Sequence, residues 1–296
     1  MNALETGFLL LTSQLGIPGR KVLTPPQLRT LAQRVRAAQW DQPERDLVPE
    51  DLMALGYSRD MAQRIVVLLE DRELLLYYCR KGEKAGCHPI SRVSDGYPAR
   101  VRSALGLDSP GCLWYKGDIS VLKLPAIALV GSRDLEPKNR AFAREIGRQA
   151  ALQGYVLVSG NARGADQTAQ NACLQAGGKV ISVVADALAE HAPRKNMLYL
   201  SEEDFDTPFS AQRALRRNRI IHSLGQMTFV AQCGYQTGGT WDGTVRNLRA
   251  GYSPVYCFAD ASPAQRLLED MGAQTVDLQS ITNLSALPKP VAGLFD

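Results

Sequence analysis

Three short stretches of this chain set glycine beside hydroxyl and guanidinium groups, a combination of residue types that binds phosphate. They are Gly131-Ser132-Arg133, Ser159-Gly160-Asn161-Ala162-Arg163-Gly164-Ala165-Asp166 and Thr237-Gly238-Gly239-Thr240. Glycine lets the backbone come close to an anion and turn its N–H groups toward it. Serine and threonine hydroxyls add neutral donors, while Arg133 and Arg163 add planar forks that match two phosphate oxygens at once. One such loop is weak ground, because tight strand-to-helix turns need glycine for packing alone. Three of them, each expected at the end of a strand, make a stronger case.

A fourth element is the run Arg213-Ala214-Leu215-Arg216-Arg217-Asn218-Arg219-Ile220-Ile221. No acidic residue falls between Gln212 and Gln226 to pair with these cations. A solvated face of an amphipathic helix would explain the run. Ile220 and Ile221, however, should bury one end and hold the cluster against a sheet edge. Arg217, Asn218 and Arg219 are therefore candidate phosphate contacts. Trp241, just after the third loop, is a candidate surface for base stacking, although a core position is the commoner fate of tryptophan. Asp166 serves as readily to cap a helix as to touch a ligand.

Other residue types argue against catalysis. There are three histidines, His88, His191 and His222, so general bases are few. The six cysteines (79, 87, 112, 173, 233 and 257) form no C-x-x-C pair and read as scattered thiols of a reducing compartment. No metal site, catalytic residue or cofactor is assigned. Neither a G-x-G-x-x-G fingerprint nor a Walker loop is present.

These loops need elements to position them. Segments 25–38, 48–55 and 59–69 carry apolar residues at helical spacing, so the first ninety or so residues read as helical. Residues 89–117 look like a strand-and-turn connector rich in glycine and proline. From Ala126 the texture alternates. Ala126–Val130, 155–159, 179–184, 227–232 and 254–258 are short apolar runs suited to buried parallel strands, and 138–153 is amphipathic. The expected fold is α/β: a Rossmann-like, doubly wound, mostly parallel sheet preceded by a small helical N-terminal domain. The expected divisions are 1–88, helical; 89–122, connector; and 123–296, the Rossmann-like domain with a C-terminal extension. The tail from Asn283 is unassigned.

The chain has 296 residues, 45% hydrophobic and 22% charged, which marks a globular protein. Its net charge of +4 permits an anionic partner without demanding one. The apolar run 8–11 is too short to span a bilayer and follows an acidic residue, Glu5, so a cytoplasmic protein without a membrane partner is expected.

Taken in order, V-G-S-R (130–133), S-G-x-A-x-G-x-D (159–166), R-N-R-I-I (217–221) and the Thr237-Gly238-Gly239-Thr240 loop resemble the DNA-processing protein A (DprA/Smf) family. Tyr97-Pro98, Gly111 and Trp114-Tyr115-Lys116-Gly117-Asp118 resemble its entry into the Rossmann-like domain. The resemblance covers about residues 90 to 260. It implies non-catalytic binding of single-stranded DNA, a homodimer formed through the Rossmann-like domain, and delivery of DNA to a recombinase. It places phosphate contacts on Ser132, Arg133, Ser159, Gly160, Gly164, Arg217, Arg219, Gly238 and Gly239. Gly131, Arg163, Asn218, Thr237 and Thr240 join them from the loop chemistry.

Departures stand beside the resemblance. Gln170 lies near where the family usually has histidine, Ala214-Leu215 replace Phe-Pro, and Gln232 replaces a common glutamate. The C-terminal winged helix of many members is expected to be lacking. A divergent member of this kind is expected in DNA processing and recombination or in anti-phage defence, where a toxin in a toxin–antitoxin pair would be the partner. Two alternatives are a nucleotide-binding sensor or antitoxin and a nucleoside-monophosphate phosphoribohydrolase-like enzyme. The latter resembles P-G-G-x-G-T-x-x-E; here Gly238-Gly239-Thr240-Trp241-Asp242 lacks that spacing and its glutamate, leaving Asp242 as a stand-in.

Overall fold

In the computed structural model, residues 1–38 and 46–288 are described. Helices come first, each started by a residue suited to it. Asn2 caps α1 (Ala3–Thr12) in a capping box with Glu5, and prolines open α2 (Pro25–Ala37) and α3 (Pro49–Ala54). Ser58 caps α4 (Arg59–Glu70), and α5 (Arg72–Lys84) follows. Leu9, Leu10, Leu75 and Tyr78 of α1 and α5 belong to the same buried cluster as one face of the sheet. By contrast, α2, α3 and α4 enclose a separate cluster around Leu28, Leu52 and Ile65.

The sheet has nine strands among the described residues: β1 (His88–Ser91), β2 (Cys112–Lys116), β3 (Ala126–Val130), β4 (Val156–Ser159), β5 (Val180–Val183), β6 (Met197–Ser201), β7 (Thr228–Val230), β8 (Val255–Phe258) and β9 (Gln274–Val276). Their order is β1-β2-β6-β5-β4-β3-β7-β8-β9. The pairs from β6 across to β9 are parallel, and β2 and β1 add antiparallel strands at one edge. From β3 the chain builds outward through β4, β5 and β6, then returns to the other side of β3 to lay down β7, β8 and β9. The winding therefore reverses between β3 and β7, and a crevice opens beyond their carboxyl ends.

Alternation along β3 sends Ile127 and Leu129 to one face and Ala126, Ala128 and Val130 to the other. The first face is covered by α7 (Pro137–Leu152) and α8 (Ala165–Gln175), the second by α6 (Ala99–Leu105), α9 (Ala211–Leu224), α10 (Gly238–Ala250) and α11 (Pro263–Asp270). On α7, Phe142, Ile146 and Ala150 are fully buried at a spacing of four. No helix of the described residues is long and apolar enough to cross a membrane.

The doubly wound, mostly parallel sheet expected from the sequence is the one that forms. β3 has the expected bounds, and the other four expected strands lie within their segments. Residues 89–122, read as a connector, supply β2, most of β1 and α6. Neither β6 nor β9 was expected. β6 is an apolar run hidden between Arg194-Lys195-Asn196 and Glu202-Glu203-Asp204. β9 is a short edge strand with only Val276 buried, so it shows no alternation to read.

Candidate nucleic-acid interface

The crevice between β3 and β7 has a volume of about 490 Å³ and gathers Gly131, Ser132 and Arg133 from the first loop with Thr237, Gly238, Gly239 and Thr240 from the third. Ala162 and Asp166 of the second loop line it, as do Arg217 and Asn218 of α9. A smaller cavity of about 330 Å³ shares Arg133, Ala162, Ala214 and Arg217 with it and also takes in Arg163.

Backbone-directed hydrogen bonds lock the loops together. Ser132 N donates to the Gln232 carbonyl at 2.9 Å, and the Ser132 carbonyl accepts from Ala165 N at 3.1 Å. Thr240 Oγ1 donates to the Gly131 carbonyl and Asn218 Nδ2 to the Gly239 carbonyl, both at 3.0 Å. Gly164 adopts φ +89°, and a Cβ there would strike the Ser132 and Arg133 carbonyls, so only glycine lets the first two loops touch. Thr237 precedes α10 without capping it through its side chain. Thr237, Gly238, Gly239 and Thr240, at the start of α10, line the crevice, so the positive end of the helix dipole lies at its wall.

Arg217 forms the floor. It is 8% exposed, its guanidinium donates to the Val183 carbonyl at 2.7 Å, and its Nε is buried with no partner. Beside it lies the Asp166 carboxylate, which accepts from Ala162 N at 3.2 Å. A Cβ on Gly160 would collide with both groups, so that glycine makes room for the pair at the end of β4. Burial pushes the Asp166 carboxyl up to about 6, with Arg217 working against the shift. Burial likewise lowers the Arg217 guanidinium. The low dielectric penalises both charges, and an incoming phosphate would satisfy the arginine further.

Several expected site residues have other positions. Ser159 is buried; its Oγ accepts from Gln170 Nε2 at 2.7 Å, and Gln170 also reaches Ser182 Oγ at 3.3 Å and the Gly160 carbonyl. Ser159, Gly160 and Gly164 therefore build the second loop rather than line the crevice. The basic run is not unpaired, contrary to expectation. Glu202 and Glu203, in the loop after β6, take up Arg219 and Arg216, and Arg219 also donates to the Asp108 carbonyl at 3.0 Å. Arg163 pairs with Asp134 at 2.7 Å on the surface. Arg133 is exposed and makes no hydrogen bond or ion pair among the described residues. Trp241, a candidate stacking surface for which a core position was the commoner reading, is packed in the core at 8% exposure, because α10 turns it toward the sheet.

The groups capable of proton transfer are constrained. His222 lines the crevice, but burial pushes it down to about 3, and its Nδ1 lies 3.3 Å from both Thr228 Oγ1 and Asn247 Nδ2. Asp242 is exposed on α10 and does not line the crevice. Among the described residues no group of three or more His, Cys, Asp or Glu is arranged to hold a metal ion. The sequence reading missed Phe209, in the second cavity, and Tyr235, which are 57% and 54% exposed. Their signal was an aromatic residue next to proline or glycine, in Pro208-Phe209 and Gly234-Tyr235.

Fold and crevice together define a Rossmann-type α/β protein whose topological switch point is lined by two glycine loops and two arginines. The chain belongs to the DprA/Smf family: the sequence profile of DNA recombination-mediator protein A matches residues 88–247, more than half of it. Protein Smf of Escherichia coli K12 is 28% identical over 216 residues, covering 69% of this chain and 56% of that protein. DNA processing protein DprA of Streptococcus pneumoniae is 36% identical over 159 residues, 50% of this chain and 55% of that protein. The chain thus aligns with little more than half the length of these relatives. In fold it is similar to the crystal structure of DprA from Streptococcus pneumoniae, with a TM-score of 0.70 at 24% identity over 93% of this chain and 95% of that one. It is also similar to DNA processing protein A from Helicobacter pylori, described by its single-stranded DNA binding mode, with a TM-score of 0.56 at 22% identity over 67% and 94% of the two chains.

Proposed function

We propose that this chain binds single-stranded DNA along the carboxyl edge of its sheet, carries out no reaction on it, and acts in DNA processing and recombination. The observation that carries the reading is the convergence on one crevice of two glycine loops, the α10 N-terminus and two cations. One cation, Arg217, is buried with an unpartnered Nε, and the other, Arg133, is exposed and free of ion pairs among the described residues. Backbone N–H groups and guanidinium forks bind phosphate in any sequence, so affinity should be tolerant of sequence and sensitive to salt. The single-stranded DNA binding mode described for the Helicobacter pylori protein supports the choice of ligand. The expectation of no catalysis rests on the buried His222, on the burial of Asp166, and on Asp242 lying exposed outside the crevice. Family membership is the ground for two further parts of the reading, a homodimer and delivery of the strand to a recombinase. In a defence setting, a toxin would take the recombinase's place.

Fluorescence anisotropy with a labelled oligonucleotide, competed by duplex and by AMP, tests this. The single strand should bind tightest, AMP should compete weakly and release no free base, and light scattering on the same samples should show two copies. Equal or tighter binding of blunt duplex would overturn the reading. Base release from AMP that Asp242→Asn abolishes would favour the phosphoribohydrolase alternative.

A further inference from the structure

The N-terminal helices carry a groove that the proposed strand binding does not use. It runs between α2 and α4, and its walls include Leu23, Pro26, Thr30, Tyr57, Met61 and Ile65, none of which lines the crevice. The cavity there has a volume of about 230 Å³. That is room for one large apolar side chain, below the roughly 300 Å³ at which small-molecule sites begin. The local sequence keeps it open. Thr24 N donates to Gln27 Oε1 at 3.0 Å and fixes the start of α2. Pro26 and Thr30, four apart, share one face of that helix, and Thr30 Oγ1 turns back to donate to the Pro26 carbonyl at 3.1 Å. Two short side chains thus stand across from Met61 and Ile65, which are also four apart, on α4.

Cations stand at both ends of the groove. Between Thr6 and Trp40 the sequence has five, Arg20, Lys21, Arg29, Arg34 and Arg36, and no acidic residue. At one end the Arg34 guanidinium lies over the Tyr57 ring, 4.3 Å from its centroid. Arg34 Nη1 and Tyr57 Oη are buried without a hydrogen-bond partner, and Arg34 makes no ion pair among the described residues. At the other end Arg64 donates to the Lys21 and Val22 carbonyls, both at 2.6 Å, so α2 and α4 run antiparallel. Lys21 itself is exposed and makes no ion pair among the described residues.

We propose that this groove docks an acidic peptide segment of a protein partner, with one side chain the size of phenylalanine or leucine in the cavity and carboxylates on Arg34 and Lys21. Charge complementarity selects this occupant. A guanidinium laid flat on a ring keeps its edge for a carboxylate, and the two buried atoms without partners mark hydrogen bonds that α2 and α4 do not supply to each other. From Pro25 to Arg34 is about 14 Å of helix, which roughly four extended residues span. One anchor can therefore carry an acidic residue on either side. A DNA strand would use the same cations but leave the cavity empty, and Arg34 already covers the Tyr57 ring. The proposal stands apart from the single-stranded DNA reading, because groove and crevice share no lining residue.

The test is anisotropy of the full chain with a labelled synthetic peptide that sets one phenylalanine among aspartates. Two controls of equal length replace the phenylalanine by alanine or the aspartates by lysine. The acidic phenylalanine peptide should bind, and each control should bind roughly tenfold or more weakly. Arg34→Gln should weaken the acidic peptide roughly tenfold through loss of a charged hydrogen bond, and Thr30→Trp, which fills the cavity, should weaken it likewise. Both variants should melt like the native protein and bind a single-stranded oligonucleotide as it does, and Arg140→Ala should bind the peptide unchanged. Equal binding of the phenylalanine and alanine peptides, or binding of none of the three, overturns the proposal. So does displacement of the peptide by the oligonucleotide with Arg34→Gln weakening both, which would make the groove a nucleic-acid surface.

Discussion

Arg216, Arg217 and Arg219 look equivalent in the sequence and differ entirely in the fold. Arg217 turns inward to the end of β5, where its guanidinium donates to the Val183 carbonyl and lies near the Asp166 carboxylate. Arg216 and Arg219 turn to Glu202 and Glu203, acidic residues beyond the stretch between Gln212 and Gln226, so the cluster looked unpaired when read along the chain. The nearness of the buried Asp166 to Arg217 has a consequence for pH. The Asp166 carboxyl stands at about 6 against an ordinary 3.8, so the folded protein binds the proton more readily than the unfolded chain. Its contribution to stability is therefore full below 3.8 and is lost as pH rises through about 6. Protonation also removes a nearby negative charge that favours the charged form of Arg217. Affinity for a single strand should rise as pH falls from about 7 to about 5, and Asp166→Asn should be flat over that range and bind tightly throughout. Equal pH profiles for native and Asp166→Asn proteins, measured by anisotropy, would contradict this role.

At the scale of elements, the crevice is as well placed as the helices behind it. Gly147 of α7 lies against α8, where an added Cβ would strike the Ala169 carbonyl, so the two helices meet backbone to backbone. That contact sets α8, which begins beside Gly164 and carries Asp166. Gly147→Ala should cost roughly 1–3 kcal/mol through overpacking and weaken strand binding by shifting α8. Thermal or urea unfolding measures the first effect, and an unchanged midpoint would show the contact to be slack. The five core strands were legible as short apolar runs, and the loops after β3 and β4 because those runs end directly in glycine. Helices α1 and α5 were not, since their apolar residues pack on the sheet and on one another, a long-range fact that local spacing does not carry. Trp241 stayed open between stacking and core for a related reason: its place just after a loop says nothing about which way α10 turns it.

Across the whole molecule, one acidic loop joins the two halves. Glu202 and Glu203 hold α9, while Asp204 accepts from Ser13 Oγ at 2.7 Å and from Trp114 Nε1 at 3.2 Å. Asp206 pairs with Lys81 of α5 at 2.8 Å. The N-terminal helices are thus tied to the segment that leads into the crevice. A net charge of +4 on 296 residues is too small to draw DNA by itself, and these pairings remove several cations from the count. What is left for phosphate is local, and Arg133 is its exposed part. The most direct test is affinity for a single-stranded oligonucleotide at several salt concentrations, for native protein, Arg133→Ala and Arg140→Ala, the last an exposed arginine on α7. Each phosphate contact on a single strand contributes about 0.7 to the slope of log affinity against log salt. Arg133→Ala should weaken binding and flatten that slope by about this amount, with Arg140→Ala unchanged; if the two variants prove indistinguishable, the crevice is not where the strand binds.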